Sequence, residues 1–135
     1  MKALSSAVDD FFKSIDFWAP WLIRLGLGIA FIIHGSSKFP LPPEALMNYF
    51  GFSSILASFV AVSELVAGIF IIIGGLFKGK IGDHITRFAA LMIVVIMVFA
   101  FALAHQDWFI TTKLFTSEQI FLLLIGLYFL IKGNS

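Results

Sequence analysis

The chain has 135 residues, of which 60% are hydrophobic and only 13% are charged. A soluble domain carries about twice that share of charge and could not bury so much apolar surface, so the composition favours a membrane protein. The net charge of +1 and the lack of a basic stripe argue against nucleic acid as a partner. With no cysteine, the chain itself holds no disulfide, thiolate metal site or thiol redox centre.

The first predicted element is a short amphipathic helix over residues 5–18. Its apolar residues recur at helical spacing among acidic residues and a lysine, and Ser6 with Asp9 fits a capping box. Such a helix lies in the membrane interface, and a frayed tail is the alternative. No small-residue cleavage site follows the first long apolar stretch, so we expect no cleaved signal peptide.

Four long apolar stretches follow, at about residues 20–38, 54–77, 86–105 and 115–132. Each is close to the ~20 residues that a helix needs to cross ~30 Å of hydrocarbon. The short connections make sequential helices antiparallel neighbours. The sequence therefore predicts an all-α integral membrane four-helix bundle, with residues 1–135 forming one transmembrane domain. The first connection predicts an additional short helix that begins at Pro43.

The loop charges predict the orientation of this bundle. One side has only Lys38 and Lys113, while the other side collects Lys2, Lys13, Lys78, Lys80 and Lys132. The positive-inside rule then places both termini and the middle loop in the cytoplasm. We therefore expect a multi-pass protein of a bacterial-type inner membrane, surrounded by membrane lipid.

Charged residues within the apolar stretches fall on faces that helix partners would cover. The first stretch places Arg24, Gly28, Phe31, Gly35 and Lys38 at alternating spacings of 4 and 3. The second repeats this spacing with small residues around Glu64, namely Ala57, Ala61, Gly68 and Gly75. The third predicts a face of Arg87, Leu91, Val94, Val98, Phe101 and His105. All three faces are expected to contact protein rather than lipid.

Buried ionisable groups in membrane bundles pair with one another and often mark function. We therefore predict a buried polar pocket near the outer end, with His34, Lys38 and Glu64 as candidate catalytic residues. The candidate ligand-binding residues are Arg24, Arg87 and His105, and no metal site is expected. In the alternative interpretation, Lys38 and Glu64 form an ion pair that only sets helix register, the arginines snorkel to lipid phosphates, and His105 is interfacial.

The pattern resembles the DoxX family of small four-helix membrane proteins (DoxX/DoxD-like). The stretches that carry the resemblance are "RLGLGIAFIIHGSSKF", "SELVAGIFIIIGG" and "RFAALMIVVIMVFAFALAH", and the similarity spans about Pro20 to Leu130. It implies a redox-associated membrane protein, since relatives include the membrane subunit of a thiosulfate:quinone oxidoreductase and proteins associated with oxidative-stress enzymes. A thiol in such a role would have to come from a protein partner.

Three functions remain open at this point. The first is a quinone-linked redox subunit. The sequence has no flavin or iron–sulfur motif, so no intrinsic cofactor is expected. A partner protein would then supply the electrons. The second is a non-catalytic accessory subunit of a larger membrane complex. The third is haem ligation by His34 and His105, for which a Soret band in the absorption spectrum would be the test.

Overall fold

The computed structural model describes residues 2–41, 43–104 and 118–134, and every regular element in those ranges is an α-helix. The helices are α1 Lys2–Ile15, α2 Trp18–Ser36, α3 Glu44–Phe50, α4 Ser54–Gly74, α5 Gly79–Ala104 and α6 Glu118–Lys132. The described residues contain no strand. The predicted all-α membrane-type fold is confirmed, including its N-terminal helix.

Helix α1 is amphipathic but begins earlier than predicted. It starts at Lys2, so Ser6 and Asp9 lie inside the helix and the predicted capping box is wrong. No side chain of α1 is buried, and Phe11 and Phe12 are both more than half exposed. An apolar face left open in this way suits a helix that lies in a membrane interface.

Within the part of the chain that the structure describes, three helices, α2, α4 and α5, are long and apolar enough to cross a membrane. The apolar part of α6, Gln119–Lys132, is shorter, and residues 115–117 of the predicted fourth span lie outside the described ranges. Helix α5 begins at Gly79 instead of residue 86. Most of the connection predicted between residues 77 and 86, which starts with "KGKIGD", therefore belongs to the helix, and residues 75–78 alone connect α4 to α5.

Helices α2, α4, α5 and α6 pack in a ring that follows chain order. Helix α2 packs on α4, α4 on α5, and α5 on α6, while α6 contacts α2 more sparsely. The core includes Leu27, Ile71, Ile93, Phe101 and Phe129, all almost fully buried. Among the described residues, the α2/α6 junction, meaning the line along which these two helices face each other, is thus the most loosely packed side of the ring.

Small residues let α2 and α4 approach closely, as membrane helix pairs require. A Cβ atom added to Gly28 would lie only 2.9 Å from the main-chain oxygen of Gly68. The predicted face of α2 is confirmed, since Arg24, Gly28, Phe31 and Gly35 are all buried. On α4 the prediction also holds around Glu64, with Gly74 rather than Gly75 as its last buried residue.

The predicted face of α5 is wrong at Arg87, Leu91 and Val98, which are exposed, but it holds at Phe101, which is buried. The buried residues of the helix include Thr86, Ala89, Ala90, Ile93 and Met97. The helix is rotated so that these residues face the interior of the bundle. This rotation moves the arginine to the surface and brings the threonine that precedes it into the bundle.

Candidate functional site

An ion pair joins the end of α2 to the middle of α4. The Lys38 ammonium lies 2.7 Å from the Glu64 carboxylate, which confirms the predicted contact between these helices. Glu64 is only 8% exposed. Lys38 Nζ also donates to the main-chain oxygen of His34, at 3.1 Å. The lysine side chain therefore folds back along α2 instead of extending towards water.

The local sequence explains why Lys38 reaches Glu64. A Cβ atom on Gly35 would lie 2.7 Å from the main-chain nitrogen of Leu65. The glycine therefore allows the last turn of α2 to pack closely against α4 next to the glutamate. A lysine at the end of a membrane helix usually directs its ammonium to the interface. Here an opposite charge within reach holds the ammonium inside the bundle.

A small cavity of about 120 Å³ opens beside this ion pair. Its polar lining comes from His34, Lys38, Glu64 and Gln119, and its apolar lining from Phe31, Ile96, Met97, Ala100 and Leu122. The His34 side chain is exposed, so it lies at the rim. Electrostatic interactions strengthen between such apolar walls, because there is little water to screen them.

A second polar cluster lies at the other end of the bundle, around Arg24. This residue is only 4% exposed. Its Nη1 donates to the main-chain oxygen of Ile71 and to Thr86 Oγ1, the latter at 3.0 Å, and its Nη2 donates to Asn134 Oδ1 at 2.7 Å. The guanidinium carbon also lies 4.7 Å from the ring centroid of Phe129, a cation–π distance. Main-chain, hydroxyl and amide dipoles and the face of an aromatic ring therefore surround this charge.

The acceptors of Arg24 are themselves held in place. Thr86 Oγ1 donates to Asn134 Oδ1 at 2.6 Å, and Asn134 Nδ2 donates to the main-chain oxygen of Gly74 at 2.8 Å. The main-chain N–H of Asn134 donates to Asp83 Oδ1 at 3.0 Å. One network thus ties together α2, the end of α4, the start of α5 and the turn after α6.

Two adjacent glycines at the end of α4 make room for this network. A Cβ atom on Gly74 would clash with Thr86 Oγ1 and lie 2.9 Å from the Thr86 main-chain nitrogen. On Gly75 it would lie 2.7 Å from Arg24 Nε. Gly74 therefore leaves room for the side chain of Thr86, and Gly75 leaves room for the side chain of Arg24.

A larger cavity, of about 960 Å³, lies next to the Arg24 cluster. The start of α2, the connection between α4 and α5, and the end of α6 all contribute to its walls. Its polar lining consists of Asp16, Arg24, Lys78, Tyr128, Lys132 and Asn134. Arg24 and Lys38 are 14 positions apart in the chain, so the two polar clusters are separated by roughly 20 Å along α2.

Comparison with known proteins adds the family to this geometry. The DoxX family model matches residues 19–106, which is more than half of the chain. The chain belongs to the DoxX family. No curated protein and no solved structure matches it significantly. In this DoxX protein the matched region includes Arg24, Lys38, Glu64 and Thr86, whereas Asn134 lies outside it.

The structure separates the six predicted site residues of this DoxX membrane protein. Lys38 and Glu64 form the ion pair, His34 lies beside it at the rim of the small cavity, and Arg24 belongs to the opposite end. Arg24 does not extend its guanidinium to the membrane surface, as snorkelling requires, because the residue is only 4% exposed and donates to acceptors inside the bundle. Sequence reasoning missed its partners Thr86 and Asn134, which carry no charge and lie far along the chain.

Of the other two predicted residues, Arg87 joins neither cluster. Arg87 has a side chain that is 44% exposed, and its Nε lies 3.0 Å from Asp83 Oδ2 one turn earlier on α5. His105 lies outside the described ranges, and so does any haem geometry that would involve it. Within those ranges no three His, Asp or Glu side chains come together in a way that could hold a metal ion.

Proposed function

We propose that this DoxX-family membrane protein is a quinone-linked redox subunit, in which the Lys38–Glu64 ion pair binds the quinone head and handles its protons. The observation that carries the proposal is a partly buried ion pair, 2.7 Å long, that opens into a cavity with mostly apolar walls. Ionisable groups at this depth are expensive in a membrane protein and commonly serve ligand binding or proton transfer.

The side chains around the small cavity suit the proton chemistry of a quinone. Reduction of a quinone to a quinol takes up two protons and two electrons. Lys38 Nζ has three N–H groups and uses two of them, on Glu64 and His34, so the third can donate to a quinone oxygen. The Glu64 carboxylate can take up a proton that enters through His34 at the rim and pass it on to the reduced oxygen.

The size of the cavity supports a ring but not a large cofactor. Its volume of about 120 Å³ is close to the ~150 Å³ of an engineered protein cavity that holds benzene. Both α2 and α6 line the cavity, so a quinone tail could leave through the loosely packed α2/α6 junction. The electrons would come from a partner protein in the same membrane, because the sequence has no flavin or iron–sulfur motif.

The orientation in an inner membrane is part of this proposal. The lysines near α1, in the α4–α5 connection and at the end of α6 support cytoplasmic termini. The small cavity would then face the periplasmic half of the membrane. A reporter enzyme that is active only in the periplasm should be inactive when fused at Ser135 and active when inserted near Gly51. Activity at Ser135 would contradict this orientation.

The functional test is the Glu64→Gln variant, with Lys80→Gln as the matched control. Glutamine keeps the shape and some of the hydrogen bonding of the carboxylate. It loses the negative charge and cannot take up and release a proton. We expect purified wild-type protein to bind menadione or a short-tail ubiquinone analogue, and Glu64→Gln to bind at least about tenfold more weakly, as loss of a charge-assisted hydrogen bond predicts. Quinone-dependent turnover in native membranes should disappear in Glu64→Gln and persist in Lys80→Gln.

Two results would end this proposal. One is a wild-type protein that neither contains a quinone after extraction nor binds either probe. The other is normal quinone-dependent turnover in Glu64→Gln, provided that its circular dichroism matches that of the wild-type protein.

A second candidate function is a non-catalytic accessory subunit of a membrane complex. The observation that favours it is the contact between Gly35 and Leu65, which lies directly beside the Lys38–Glu64 pair. In this case the pair would act only to hold the close approach of α2 and α4 in one register. For this function we expect substitutions of Lys38 and Glu64 to be strongly coupled in the free energy of unfolding. The same substitutions should have no effect on quinone binding.

A further inference from the structure

The hydrogen bonds of Arg24 leave one edge of its guanidinium without acceptors in the described structure. Three of its five N–H groups are used, on Ile71, Thr86 and Asn134. Thr86 Oγ1 and Asn134 Oδ1 are 2.6 Å apart, so both lie at the end of the guanidinium where Nη1 and Nη2 meet. The N–H groups that remain are that of Nε and the neighbouring one of Nη2, which point in parallel.

This unused edge reaches the larger cavity. The described residues contain no fully buried polar side-chain atom without a partner, so an Nε–H that lacks an acceptor must touch open space. Arg24 is part of the lining of the 960 Å³ cavity. Among the described residues, no carboxylate forms an ion pair with Arg24. The cation is therefore balanced only by dipoles, and an anion in the cavity would complete it.

We propose that this cavity binds a phosphate group, and that the group belongs to an anionic phospholipid. Two parallel N–H groups of an arginine match two oxygens of a phosphate in a bidentate pair. Lys78 also lines the cavity, and the described lining has more basic than acidic side chains. A lining of this composition favours an anionic ligand.

The shape and walls of the cavity favour a lipid over a free ion. Its volume lies at the upper end of the range of about 300–1,000 Å³ that is typical of ligand sites, and a phosphate ion would leave most of it empty. Phe17, Trp21 and Tyr128 supply apolar and aromatic walls. The cavity is also lined by both α2 and α6, so acyl chains could pass along the loosely packed α2/α6 junction into the bilayer.

The test uses the full chain in detergent and compares lipids that differ in net charge. Native mass spectrometry counts bound phosphatidylglycerol against bound phosphatidylcholine, and a second series adds inorganic phosphate. Lys78→Gln is the test variant, and Lys80→Gln, an exposed lysine outside the cavity lining, is its control. We expect wild type and Lys80→Gln to retain one phosphatidylglycerol preferentially, and Lys78→Gln to bind it about fivefold more weakly, as loss of one nearby lysine charge predicts.

Arg24→Lys keeps the charge but removes the parallel N–H pair, so it should abolish the preference if the variant folds. If it does not fold, the comparison of Lys78→Gln with Lys80→Gln still decides. If inorganic phosphate binds and displaces the lipid, the ligand of this site is a free phosphate ion and the assignment to a lipid is wrong. Equal binding of the two lipids by wild type would overturn the proposal. So would equal losses in the two lysine variants, which would indicate general surface attraction.

Discussion

The two polar clusters of this protein lie on the same helix and accommodate buried charge in opposite ways. At one end of α2, Lys38 meets a carboxylate at 2.7 Å, and the pair as a whole is neutral. At the other end, Arg24 is surrounded by a carbonyl, a hydroxyl, an amide and aromatic rings, so its charge is solvated but not cancelled. The first arrangement faces a small cavity and the second faces a large one.

This difference indicates what each end can bind. A neutral pair exerts little field at a distance, so a neutral ligand that exchanges protons suits its cavity. An arginine that only dipoles surround keeps its positive field, which favours an anionic ligand. Proton handling is therefore expected at the Lys38–Glu64 end and anion binding at the Arg24 end. Substitutions at each end test this difference.

The larger effect is expected at the Arg24 end, from Gly74→Ala. The added methyl group would overlap the side chain and main chain of Thr86, so α4 and α5 would have to separate and the hydrogen bonds of Arg24 would be disturbed. We expect a loss of about 1–3 kcal/mol in the free energy of unfolding. The measurement is helix content by circular dichroism as dodecyl sulfate replaces a mild detergent.

Gly26→Ala is the matched control, because a Cβ atom there meets nothing within 4 Å. Its free energy of unfolding should stay the same or rise by about 0.5–1 kcal/mol, since alanine favours helix over glycine. Equal stability of the two variants would show that the Arg24 cluster does not depend on the close approach of α4 and α5.

A smaller effect is expected at the other end, from a double-mutant cycle on the ion pair. Glu64→Leu should lower the free energy of unfolding by about 1 kcal/mol, less than for a fully buried pair, because the Lys38 side chain is 22% exposed and can turn to water. Combining it with Lys38→Met should recover most of this loss. The two single variants and the double variant are measured by the same titration with dodecyl sulfate.

The surface ion pair on α5 supplies the reference for this cycle. Arg87→Gln should change the free energy of unfolding by less than about 0.5 kcal/mol, because its side chain is 44% exposed. If the losses from the single variants at Lys38 and Glu64 simply add in the double variant, the two residues are not coupled. The accessory-subunit function would then lose its support.

The buried faces of α2 and α4 could be predicted because their sequences combine small residues with isolated charges. Gly28 and Gly35 share one face of α2, and Glu64 and Gly68 share one face of α4. A single rotation of each helix about its axis therefore buries all of these residues. Close packing of small residues and burial of charge then favour the same face. Agreement between these two requirements made the Lys38–Glu64 contact predictable.

The buried face of α5 could not be predicted from its charges. Arg87 was expected inside, but Asp83 one turn earlier gives it a partner on the surface. The pair Ala89 and Ala90 packs inside instead, together with Thr86. Because an arginine near a helix end can pair outside the bundle at little cost, its position alone does not determine the rotation of the helix.

The surroundings of Arg24 were unpredictable for a different reason. Its acceptors Thr86 and Asn134 are uncharged, and such residues occur throughout loops and helix ends. Their relevance arises only when α5 and the turn after α6 meet next to Arg24. The glycines at the end of α4 are visible in the sequence, but which side chain each one admits depends on that tertiary contact.

The bond between Arg24 and Asn134 has a consequence for how the protein is made. The two residues are 110 positions apart. At a synthesis rate of about 5–20 residues per second, the amide acceptor emerges roughly 5–20 s after the arginine. During that interval the first membrane helix carries a cation whose shell of acceptors is incomplete. Until Asn134 is synthesised, water, lipid headgroups or the insertion machinery must supply the missing acceptor.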